Sequence, residues 1–119
     1  MPRAKGGFKT RRRRKNILEK AKGYYSANSR LHKNAREAVD KGLTYAYRDR
    51  RVKKREFRAL WIVRINAAAR AEGLTYGQFM HGIKESGIAL DRRAIAQIAY
   101  DDPRAFSALA GRAKEKLAS

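Results

Sequence analysis

The residues of this 119-residue chain whose types can do chemistry are two histidines, a pair of aspartates, a pair of glycines and two dense runs of arginine and lysine. His32 lies in a basic stretch and His81 in HGIK, and neither has the spacing of a metal-ligand set such as HExxH. Asp101 and Asp102 stand immediately before Pro103, where carboxylates cap a helix and answer its dipole rather than share a catalytic proton. Gly6-Gly7 carries no P-loop pattern and follows no strand, so it is not a phosphate cradle. Catalysis needs tuned acids, bases or nucleophiles gathered at one place. This chain is therefore not expected to be an enzyme, nor to hold a metal or another cofactor. The cations remain, and the chemistry open to them is the neutralisation of phosphate.

Their number points the same way. Lys and Arg total 30 against 11 Asp and Glu, a net charge of +19, and such an excess repels itself unless an acidic partner compensates it. Nucleic acid is the usual partner. With no Cys, disulfide frameworks and thiolate metal sites are excluded. No apolar run approaches the roughly 20 residues that span a bilayer, and MPRAKGGFKT lacks the apolar segment of a secretory signal. The expectation is a soluble, cytoplasmic protein with no membrane partner and no small-molecule substrate. The charge is also unevenly placed. Residues 1 to 58 hold 21 Lys and Arg against 5 Asp and Glu, a net of +16, whereas residues 59 to 119 hold 9 against 6, a net of +3. This divides the chain into a basic extension, 1–58, and a globular domain, 59–119.

The elements that must position these cations read as helices throughout, since nothing alternates with period two. Residues 1 to 15, with Gly6-Gly7 and RRRRK, bury too little to offset the entropy of ordering and are expected to lack regular structure. Asn16 to Lys22 reads as a short helix stopped at Gly23. Tyr24 and Tyr25 follow, suited equally to packing on a neighbouring helix or to stacking under bases. Ser26 to Ser29 offers N-cap residues before a helix running from about Leu31 to Glu72, on the order of 60 Å at 1.5 Å per residue. Its first part has only a thin apolar stripe of Leu31, Ala35, Ala38, Val39, Leu43 and Ala46, with Gly42 a weak point of about 1 kcal/mol.

The stretch RDRRVKKREFRALWI, residues 48 to 62, then changes character halfway. At 100° per residue, Arg48, Arg50, Arg51, Lys53, Lys54, Arg55 and Arg58 cover roughly 220° of the helix, with Asp49, Val52 and Glu56 on the remainder. Asp49, four residues before Lys53, is placed to pair with it. From there Phe57, Leu60, Trp61, Ile65, Ala68 and Ala69 share a face that suits burial in a domain. One end of the helix fits an anionic surrounding and the other a protein core. The remainder reads as three short helices, capped by Thr75, by Asp91, and by Asp101 or Asp102 before Pro103. The fold class is all-α: a long basic N-terminal extension and long helix leading into a small C-terminal helical bundle.

Within this frame KGYY (22 to 25), YAYRDRR (45 to 51), FRALWIVRINAAAR (57 to 70) and GLTYGQF (73 to 79) are distinctive, and over nearly its whole length the chain resembles the bacterial large-subunit ribosomal protein L-twenty family. The resemblance implies a basic extension threading through large-subunit ribosomal RNA, a small helical domain on the RNA surface, neighbouring ribosomal proteins, and a role early in subunit assembly. It also implies that the chain could repress its own messenger RNA, as some members do. Carried onto this sequence, the RNA-binding candidates in the tail are Arg3, Lys5, Lys9, Arg11, Arg12, Arg13, Arg14 and Lys15. Lys22, Tyr24, Tyr25 and Arg30 follow, then Arg48, Arg50, Arg51, Lys53, Lys54, Arg55 and Arg58 of the long helix. Arg64 and Asn66 of the RIN motif stand near the domain, and Arg92 and Arg93 open a short helix. His81 departs from the Asn expected in HGIK. A second reading, a DNA-binding or DNA-compacting helical protein using Arg92 and Arg93 on a recognition helix, fits a long helix without a heptad seam less well. A membrane-active peptide would need one sustained amphipathic face, which the basic arc denies.

Overall fold

The computed structural model describes residues 3–119, and every regular element among them is helical. In chain order these are α1 (Gly7–Lys20), a 3-10 turn (Ser26–Ser29), α2 (His32–Ala71), α3 (Tyr76–Glu85), α4 (Arg92–Asp101) and α5 (Pro103–Ala118). The chain divides into two compact units, the first ending at Arg51 and the second beginning at Val52, so α2 contributes residues to both.

In the first unit, Ala21, Ala35 and Val39 are buried, with Ile17 and Leu18 packed against them. Leu31 and Leu43, from the same expected stripe, stay more than half exposed. The expectation of an irregular segment up to residue 15 is corrected for residues 7 to 15, which are helical; Met1 and Pro2 of that segment lie outside the described residues. Counting charge hides that Arg and Lys are good helix formers. Helix α1 buries none of its residues, so propensity is what favours it locally. It ends at Lys20, two residues before the expected Lys22, and Gly23 follows in the turn at φ +87°, in the left-handed region that only Gly enters without cost. Ser26 to Ser29 forms its own 3-10 turn rather than capping α2, and the Leu31 carbonyl accepts the Ala35 N–H.

Gly42 has a packing reason that the sequence hides. A Cβ there would sit 2.9 Å from the Tyr24 hydroxyl, so the glycine leaves room for that ring against α2.

The second unit is a small bundle in which α5 packs on α3 and α4. Its core holds Ile65 and Ala69 of α2, Phe79 and Ile83 of α3, Ile95 and Ala96 of α4, and Phe106, Ala110 and Ala113 of α5. Phe79 and Phe106 stack with centroids 4.9 Å apart. Gly82 permits the close approach of α3 to α5: a Cβ there would lie 2.7 Å from both the Cβ and the carbonyl oxygen of Ala113. The helix starts match their signals. Thr75 and Gln78 form a reciprocal capping box, Asp91 accepts from the Ala94 N–H at 2.8 Å, and Asp102, not Asp101, caps α5 ahead of Pro103.

The apolar face of α2 is covered later than its periodicity suggests. Ile65 and Ala69 are fully buried and Trp61 partly so, but Phe57 is 45% and Leu60 41% exposed. Periodicity marks a face as apolar without saying where its partner begins.

Candidate nucleic-acid interface

The two basic runs lie on helices that the chain leaves uncovered. On α1, Arg11, Arg12, Arg13, Arg14 and Lys15 are all exposed, and Gly7, Thr10, Arg11, Arg14, Lys15 and Leu18 line a shallow depression. Arg3 and Lys5 precede the helix in irregular, exposed chain, and Lys9 is exposed within it. On α2 every residue from Tyr47 to Leu60 is exposed except Val52, which is half-buried. Arg48, Arg50, Arg51, Lys53, Lys54, Arg55 and Arg58 therefore project around a helix with no sheltered side in this segment. Lys22 and Arg30, between the helices, are exposed as well.

Few of these charges are compensated internally. Among the described residues one ion pair forms, from Arg48 Nε to Asp49 Oδ1 at 3.0 Å. The expected Asp49–Lys53 pair is replaced by it, because the neighbouring Arg48 takes the carboxylate while the Lys53 amine rests 5.8 Å from the centre of the Phe57 ring. The hydrogen bond and charge of Asp49 raise the pKa of Arg48 above its already high ordinary value.

Two tyrosines absent from the sequence-derived set prove to organise these cations. The Tyr45 ring has the Lys41 amine 5.1 Å and the Arg48 guanidinium 4.6 Å from its centre. Arg51 lies closer, 3.8 Å over the Tyr47 ring, and also donates from Nη1 to the Tyr47 carbonyl at 2.9 Å. The available signal is their spacing in YAYRDRR, where each Tyr stands three or four residues before an Arg and so shares a helix face with it. Of the tyrosines that were expected to matter, Tyr24 packs against Gly42, whereas Tyr25 is 89% exposed and free to meet a partner.

In the second unit Arg64, Arg92 and Asn66 make specific contacts. Arg64 of α2 lies 5.2 Å over the Tyr100 ring of α4. Arg92 donates from Nε to the Tyr76 hydroxyl at 2.8 Å, tying α4 to α3. Asn66 accepts from Arg70 Nε at 3.2 Å, and Arg93 is exposed. Arg92 also borders a groove with His81, Lys84 and four apolar residues. Among the described residues no three His, Cys, Asp or Glu side chains gather as a metal site, and no described helix is long and apolar enough to cross a membrane.

Fold and surface together define an all-helical cationic protein, with an uncovered basic helical segment leading into a compact bundle. The sequence pattern of the ribosomal protein L20 family matches residues 3–109. Over 117 residues the chain is 58% identical to the large ribosomal subunit protein bL20 of Syntrophotalea carbinolica, covering 98% of this chain and 99% of that protein. The protein of the same name from Trichlorobacter lovleyi is 55% identical over 98% of this chain and its own full length. The chain belongs to the ribosomal protein L20 family, a family of ribosomal proteins and not of enzymes.

Proposed function

We propose that this protein is a structural constituent of the bacterial large ribosomal subunit, resident on cytoplasmic ribosomes. It binds large-subunit ribosomal RNA directly, alongside neighbouring ribosomal proteins, promotes early subunit assembly, and binds its own messenger RNA where that presents a similarly shaped site. The observation that carries this reading is the segment Arg48 to Arg58, in which every residue but the half-buried Val52 is exposed and a single ion pair forms among the described residues. A partner that surrounds the helix suits such a surface, whereas duplex DNA offers one groove to one helix face. Family membership favours RNA in the same way.

The two parts of the chain have different work in this account. Residues 1–58 carry most of the charge, displayed on the exposed faces of α1 and α2, so their contacts are chiefly to the phosphate backbone and weakly dependent on sequence. The domain, 59–119, supplies shape recognition, because Arg64 and Arg92 are held in place by Tyr100 and Tyr76. The cations of the extension then tighten the hold by neutralising phosphates.

A competition experiment between a cognate large-subunit RNA fragment and an unrelated structured RNA tests this division. The isolated domain is expected to fold, as checked by circular dichroism, and to bind more weakly than the full chain with comparable discrimination. A domain without preference, beside an extension that discriminates, would reverse the roles.

A further inference from the structure

We infer that Tyr47 and Arg51, one helical turn apart with the guanidinium 3.8 Å over the ring, form a site on which an unpaired RNA base stacks. The inference rests on the RNA-binding reading above and adds a ligand chemistry that phosphate neutralisation does not require.

The pair differs from the other cation–aromatic contacts among the described residues. At 3.8 Å from the ring centre, Arg51 lies at the separation of two planes in van der Waals contact, whereas the other such contacts run from 4.6 to 5.8 Å. Its Nη1 is also bound to the Tyr47 carbonyl, so the guanidinium plane is held at two points. Among the described residues no carboxylate pairs with Arg51, while Arg48, beside Tyr45, is bound to Asp49. Both members are exposed, Tyr47 by 58%, so a flat ligand can reach them from solvent.

A fixed, weakly hydrated cationic plane suits a flat neutral π-system at least as well as a phosphate. Nucleobases are that chemistry in RNA. Only bases outside a duplex expose a free face, so the ligand is a base in a loop, bulge or strand end. Helix stabilisation by a pair four residues apart amounts to a few tenths of a kcal/mol and calls for no such alignment.

The test uses the full chain and two short single-stranded probes of equal length, an oligoadenylate and its abasic counterpart, with affinity measured across a salt series. Wild type is expected to prefer the base-bearing strand. Tyr47→Leu and Arg51→Lys should each lower affinity for the oligoadenylate by about fivefold or more, the weaker end of what stacking supplies. Binding of the abasic strand should fall less in both variants, so that the preference for bases shrinks, because Lys keeps the charge for phosphate and Leu the helix propensity. Tyr47→Phe should behave as wild type. If wild type binds both probes equally, or if the Leu and Lys variants match wild type or weaken both probes alike, the stacking inference falls while RNA binding stands. If wild type binds neither probe, the RNA-binding reading and this inference fall together.

Discussion

Replacing Arg50, Arg51, Lys54 and Arg55 together by Ala is expected to flatten the salt dependence of binding to large-subunit RNA by about 3 in log–log slope. Each phosphate neutralised contributes roughly 0.7 to 0.9 to that slope through release of condensed counterions. If the affinity extrapolated to 1 M salt is unchanged, a slope lower by 3 weakens binding about a thousandfold at 0.1 M. All four side chains are exposed and none makes an ion pair among the described residues, so no carboxylate competes with the RNA for them. Alanine is the strongest helix former, so the helix survives the change. Affinity measured across a salt series gives the answer, and an unaltered slope would place the phosphate contacts on other residues.

The second large effect concerns folding. Phe106→Ala is expected to abolish cooperative unfolding of the second unit or to leave it marginal. Phe106 is 2% exposed and stacks on the fully buried Phe79, in a core that otherwise consists largely of Ala and Ile. Truncating a buried Phe costs about 3–5 kcal/mol. A unit of this size has roughly 3–10 kcal/mol to lose, at 0.05–0.15 kcal/mol per residue. Trp61, the single tryptophan, packs against the same core and reports the transition by fluorescence in a urea titration. Retention of the wild-type midpoint would show that the stability of the unit lies outside the Phe79–Phe106 stack. Phosphate binding by the extension should outlast the loss, because its cations do not depend on that core.

Local signals were the legible part of the fold. Thr75, Asp91 and Pro103 announce helix starts because a cap is satisfied within a few residues of itself, and the long helix runs from His32 to Ala71 against an expected Leu31 to Glu72. Contacts across distance were less legible. Nothing in the apolar spacing tells that Phe57 and Leu60 remain exposed, because that depends on how far a small bundle reaches along α2. Nor does the sequence reveal that Gly42 faces the Tyr24 hydroxyl. For the candidate interface, charge alone identified the cations of α2 but not what aligns them. Tyr45 and Tyr47 escape a reading organised by charge, although their spacing to Arg48 and Arg51 is that of helical neighbours. The helix over residues 7 to 15 escapes it too, since self-repulsion and helix propensity act in opposite directions there and composition alone does not tell which prevails.

The central claim is that the chain docks directly on large-subunit ribosomal RNA, with the domain choosing the site and the extension tightening the hold. A nuclease-protection footprint of the full chain and of residues 59–119 on that RNA, taken at several salt concentrations, tests it most directly. The account predicts one localised set of protected positions for the domain, contained within a larger set for the full chain, with the additional protection lost first as salt rises. Diffuse protection by the full chain, or a domain footprint elsewhere than the full-chain footprint, would contradict it.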